Sequence, residues 1–148
     1  LIMKKFKIFA VILLSLSFSP ALANQSVEEI IKGRKAMFSE NYSNAKKISV
    51  LLKSGNIDEA KPLMEKISKN YTKLLDYFPE NTKEGFKTEA LPSIWENKKE
   101  FNDLMKKASD DMIKLAEAID TAEDLKAIQK KFMWSNCSAC HSRFRAPH

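Results

Sequence analysis

Near the C-terminus of this 148-residue chain stands Cys137-Ser138-Ala139-Cys140-His141, two thiols and an imidazole within five residues. Positions i and i+3 lie on one face of a helix, so both thiols reach the two vinyl groups of a single porphyrin. His141 follows at once and presents its imidazole to the iron. The C-x-x-C-H spacing therefore predicts one haem c, attached through Cys137 and Cys140, with His141 as the axial iron ligand. Two other uses of a cysteine pair are weaker. A redox disulfide of the thioredoxin kind needs a strand–helix context, and no convincing strand is readable. A structural zinc site needs four ligands, and the chain has two cysteines and two histidines in all, with His148 its last residue.

The elements that carry this motif read as helical. Glycine occurs three times, and Leu, Ala, Lys, Glu and Met abound. Helix one opens at Ser26, with Glu29 placed for a capping box. Its apolar stripe runs Val27, Ile30, Ile31, Met37, Phe38, Ala45, Ile48, Leu51, Leu52, and Gly55 stops it. Helix two begins near Asp58, or nearer Lys61 because Pro62 is tolerated only in a first turn. It carries Ala60, Leu63, Met64, Ile67, Tyr71, Leu74, Leu75 and Phe78 and stops at Pro79. Residues 80–91 lack periodicity and form the long connection. Helix three runs from Pro92 and buries Ile94, Trp95, Phe101, Leu104, Met105, Ala108, Met112, Leu115, Ala116 and Ile119. Thr121 caps helix four, which places Leu125, Ile128, Phe132 and the haem motif on its apolar side and ends near Arg145. Short links favour antiparallel neighbours. The expected fold is all-α, an antiparallel up-down-up-down four-helix bundle with covalent haem near the C-terminal helix.

The N-terminus reads as a secretory signal peptide over 1–23. Lys4, Lys5 and Lys7 precede the apolar run Ile8 to Phe18, and Ala21-Leu22-Ala23 forms an A-x-A cleavage site. The run is about half the roughly 20 residues a membrane-spanning helix needs, which favours removal over anchoring. Leu1 and Ile2 precede Met3, the natural start. Residues 24–148 would form the single mature domain, located in the periplasm, where covalent haem attachment is compatible with export. Removal of the three signal lysines lowers the net charge from +6 to +3. Basic and acidic residues alternate along the helices. Neither nucleic-acid binding nor stable membrane insertion after processing is expected.

Three pieces carry a family resemblance: Glu29-Ile30-Ile31-Lys32-Gly33-Arg34, Leu91-Pro92-Ser93-Ile94-Trp95, and Cys137 to Arg145. With the haem motif at the C-terminal end, the chain resembles the class II cytochromes c, the cytochrome c′ family, over essentially its whole mature length. That resemblance places the distal residue four positions after Arg34, at Phe38. In low-spin relatives this position is a methionine that binds iron; in cytochrome c′ proper it is an apolar cover over an open iron face. Met37 stands next door, and a shift of one residue in register would make it the ligand. The resemblance also implies a haem propionate as the anionic partner of Arg34, with Lys35 assisting at the haem edge. The alternative is that Arg34 snorkels to solvent. Arg145 lies one helical turn after His141 and would border the proximal face, or simply complement the helix dipole. Arg143 reads as surface. Phe78, Trp95 and Phe132 either contact the porphyrin or pack as core. Met64, Met105, Met112 and Met133 read as core.

Two functions stay open. The first is a five-coordinate periplasmic haem protein that binds NO and CO, for nitric-oxide sequestration or protection, with electron transfer as an added role. A distal pocket of Phe38 and aliphatics lacks a hydrogen-bond donor, so O2 is poorly stabilised there. The second is a low-spin His/Met electron carrier that uses Met37. An enzyme is not expected, because peroxidase chemistry needs a distal acid–base group, and Glu40 and Asn41 lie slightly beyond Phe38. The expected partners are diatomic gases and a periplasmic redox protein. Homodimerisation through helices one and two, common among relatives, is compatible with the exposed faces.

Overall fold

The computed structural model describes Leu22 and residues 24–147. The signal-peptide reading falls outside them apart from Leu22, as does His148.

α1 spans Val27–Lys53 and α2 spans Ile57–Leu74. The start of α1 is the expected capping box. Ser26 Oγ accepts from Glu29 N (3.2 Å), and Glu29 Oε2 accepts from Ser26 N (2.7 Å). Its end is a Schellman turn: Gly55 takes φ +80°, Asn56 N donates to Leu51 O (2.9 Å) and Gly55 N to Leu52 O (3.2 Å). The link to α2 is therefore three residues long. α2 begins at Ile57, so Pro62 falls in its second turn and not its first. The burial of Ala60 and Met64 on either side holds that turn despite the missing N–H. α2 ends at Leu74, earlier than the stripe implied. Pro79 restricts Phe78, and Leu75, Asp76 and Tyr77 tighten into i→i+3 turns. Phe78 is still buried, from the loop.

The third helix is interrupted. α3 is Ser93–Glu96, α4 is Lys98–Ala118, and Asn97 between them has φ −122°, ψ 44°. Asn97 Nδ2 donates to Ser93 O (3.2 Å), the local competition by which asparagine ends helices. The fourth helix also departs from expectation. Asp124, not Thr121, is the N-cap: its Oδ1 accepts from Ala127 N (2.9 Å), while Thr121 lies in the turn after α4. α5 is Leu125–Gln129. A π-helical turn follows at Lys130–Trp134, with Ser135 N donating to Lys130 O, and α6 is Ser135–Phe144.

α1 packs on α2, α2 on α4, and α4 on the C-terminal helix. Ser49 Oγ to Gln129 Oε1 (2.8 Å) and the edge contact of Tyr42 with Trp134 close the bundle between α1 and that helix. The interior has two chemically different ends. One is aliphatic, centred on Ile48, Leu52, Met64, Ile67, Met112 and Leu115. The other is aromatic, built on Tyr77, Phe78, Phe101 and Phe144 with Ile30, Leu74, Ile94 and Met105. Tyr71 touches both. Met64, Met105, Met112 and Met133 are buried, as the stripes imply.

Candidate haem site

α6 presents the C-x-x-C-H motif. Cys137 and Cys140 are half-buried thiols on its inward side, and Cys140 packs against the aromatic cluster. Burial raises both thiol pKa values, that of Cys140 to about 11 with Cys137 adding to the shift. Cys137 donates weakly to Met133 O (3.7 Å), and the Tyr71 hydroxyl offsets part of the burial effect on its pKa. The Tyr71 pKa is raised, chiefly by burial. His141 is exposed, with Nε2 3.5 Å from Arg145 Nη1. The π turn matters here. Its extra residue rotates everything after it by about 100° relative to an uninterrupted α-helix, and so sets which face of α6 carries the thiols.

The chain after His141 is tied down. Leu91 N donates to Phe144 O (3.1 Å), Ser93 Oγ to Arg143 O (2.7 Å), and Ala146 N to Glu89 O (2.8 Å). Arg143 also pairs with Glu100 across the surface. Arg145 is extended (φ −125°, ψ 139°) and bridges to Ala90. The connection 80–91 thus holds the arginine against the imidazole. Asp111 fixes α6 from the other side: its Oδ2 accepts from Asn136 Nδ2 (3.1 Å), one residue before Cys137. Burial raises the Asp111 pKa, but the hydrogen bonds from Lys107 and Asn136 outweigh it and hold the carboxyl below its ordinary value.

From α1, Met37 and Phe38 both pack against the aromatic cluster that takes Cys140. The Phe38 ring meets Phe78 edge-on, with centroids 6.4 Å apart. Phe78 in turn contacts Trp95 and Phe101, so Phe78 and Trp95 belong to the site's aromatic wall. Phe132 instead packs with the aliphatic end.

Arg34 does not snorkel to solvent. It is buried, and its four terminal N–H groups go to neutral oxygens. Nη1 donates to Tyr77 O (3.2 Å) and Thr82 Oγ1 (2.9 Å), Nη2 to Thr82 O (2.8 Å) and Thr88 Oγ1 (2.7 Å). Its guanidinium lies 4.6 Å from the Phe78 ring centroid. Burial lowers its pKa to about 10, so it stays charged at neutral pH. Lys35 Nζ donates to Lys87 O (2.7 Å). Both cations pin the connection that backs Arg145. Gly33 makes this approach feasible: a Cβ there would stand 2.9 Å from Tyr77 Cε1.

Thr82 and Thr88 escape sequence reasoning, as polar anchors with no periodic signal of their own; Tyr71 is legible only as part of the α2 stripe and Asn41 only as a residue beyond Phe38. Asn41 is 4% exposed, and its Nδ2 has no hydrogen-bond partner among the described residues. It lies one turn beyond Phe38, on the side expected to offer no donor. Arg145 Nε is another buried polar atom without a partner among the described residues, as are Asn44 Nδ2 and Asn102 Oδ1. A thiol pair facing an aromatic wall, an adjacent imidazole, and orphaned donors on either side fit a porphyrin better than they fit a closed apolar core.

These features define a four-helix bundle built around a c-type haem motif. The chain belongs to the cytochrome c′ family: the family described as Cytochrome C′ matches residues 29–145. Cytochrome c′ of Rhodopseudomonas palustris is 33% identical over 121 residues, 80% of this chain and 82% of that protein. A solved structure of R. palustris cytochrome c′ is 31% identical with a TM-score of 0.69, covering 83% of this chain and 98% of that one. The crystal structure of cytochrome c′ from Thermochromatium tepidum, 24% identical, has a TM-score of 0.74 over 84% of this chain and 100% of its own, which supports the fold.

Proposed function

We propose that this member of the haem-binding cytochrome c′ family carries haem c on Cys137 and Cys140, with His141 its sole protein ligand, and binds NO and CO in the periplasm after cleavage following Ala23. Bound haem supplies a ferrous iron that accepts small diatomics. The observation that carries this reading is Phe38, whose ring is held edge-on to Phe78 in the cluster that takes Cys140. A phenyl group cannot coordinate. It excludes water and must swing aside for a ligand to enter. Arg145, braced through Ala90, stands beside the imidazole, with Nη1 3.5 Å from Nε2. Nitric-oxide sequestration or protection, with electron exchange to a redox protein, is the role this supports. Exposed Tyr42 and Val50 on α1 supply apolar contacts that a homodimer would cover.

One observation favours the second reading. Met37 packs on the same cluster as Phe38, so a low-spin electron carrier with His141 and Met37 as axial ligands remains the competitor. The absorption spectrum of the purified ferrous protein decides between them. A high-spin spectrum that changes with CO supports the open site. A sharp low-spin spectrum that CO leaves unmoved assigns Met37.

A further inference from the structure

We infer that Asn41 is a fixed hydrogen-bond donor on the distal side, tuning which diatomic ligands the site holds; the inference rests on the open-site reading above. The argument starts from amide orientation. Lys66 Nζ pairs with Glu40 Oε1 (2.5 Å), and this pairing with the Asn70 hydrogen bond holds the Glu40 carboxyl below its ordinary pKa. Glu40 is therefore ionised and only accepts. Asn70 must offer it an N–H, and Nδ2 lies 2.8 Å from Glu40 Oε2. The same Asn70 Nδ2 donates its other proton to Asn41 Oδ1, also at 2.8 Å. A flipped Asn41 would set one NH2 against another. The chain from Lys66 through Glu40 and Asn70 thus commits Asn41 Oδ1 to α2 and turns Nδ2 away from it.

The location follows from neighbours on each element. Asn41 is on the inward face of α1, one turn after Phe38 and one turn before Ala45, where the aromatic cluster gives way to the aliphatic one. Tyr42 beside it meets Trp134, one turn before Cys137. Tyr71, beside Asn70, packs against the same aromatic cluster as Cys140. These neighbours place Asn41 on α1 between Phe38 and the contact of Tyr42 with Trp134. A buried amide donor left unpaired costs stability. A diatomic whose outer atom accepts a hydrogen bond would recover that cost, whereas an apolar occupant would not.

The test uses the full holoprotein and CO as probe. In the ferrous CO complex, Asn41→Leu raises the C–O stretching frequency and weakens CO binding roughly two- to ten-fold. Asn70→Ala leaves Asn41 in place but frees its amide to rotate, and splits or raises the same band. An unchanged stretch in Asn41→Leu overturns the inference while leaving the open site intact. A wild-type protein that forms no CO complex overturns the open-site reading and the inference with it.

Discussion

Arg34 takes a positive charge into the bundle and spends all four terminal donors on neutral oxygens of one connection, through Tyr77, Thr82 and Thr88. Its planar fork is what spans two threonines and a carbonyl at once, and a lysine point charge cannot do the same. Arg34→Lys should therefore cost about 3 kcal/mol, read by urea unfolding of the holoprotein; a loss below about 1 kcal/mol would reject the clamp. Phe38 acts at the same scale with a different readout. If its ring is the shutter, Phe38→Ala raises ferrous CO affinity, by about ten-fold for a shutter worth about 1.4 kcal/mol. Met37→Ala should leave a high-spin spectrum unchanged, and loss of a low-spin spectrum in that variant would reassign the ligand.

Among the elements, α6 depends most on its neighbours. The π turn sets its rotation, the 80–91 connection fixes its end, and Asp111 of α4 holds its start through Asn136. Lys107 is about half exposed, so its charge is screened and the Asn136 bond matters more. The folded Asp111 pKa is lowered, so its stabilisation is present above about pH 4 and is lost as pH falls through the folded value. Asp111→Asn should cost about 1–3 kcal/mol at pH 7, and the difference from wild type should shrink as the pH falls below about 4. Urea titrations at several pH values measure this, and a difference independent of pH would place the effect in packing alone.

For the whole molecule, the two-ended interior divides the labour. The aliphatic end is closed by α1, α2, α4 and the start of the C-terminal helix. The aromatic end gathers loop residues, both candidate distal residues and Cys140; on the function proposed above, haem would complete its contacts. The double variant Cys137→Ala/Cys140→Ala, which cannot hold haem covalently, should lose about 3 kcal/mol or more and melt roughly 10 °C lower. Calorimetry gives the shift, and hydrogen exchange should place the loosening at the aromatic end. An unchanged melting temperature would show that the protein supplies that core by itself.

Local signals determined much of this protein. Composition and apolar period gave the helical class, Ser26, Glu29 and Gly55 delimited α1 through bonds within a few residues, and the quoted motifs named the family. The π turn before α6, the partners of Arg34 and the orientation of Asn41 were decided by tertiary structure alone. Arg34 reaches Thr82 and Thr88 across 48 and 54 residues, and Asn70 reaches Asn41 across 29. No periodicity encodes such pairs. They come into being only when packed helices bury polar groups that must then find partners.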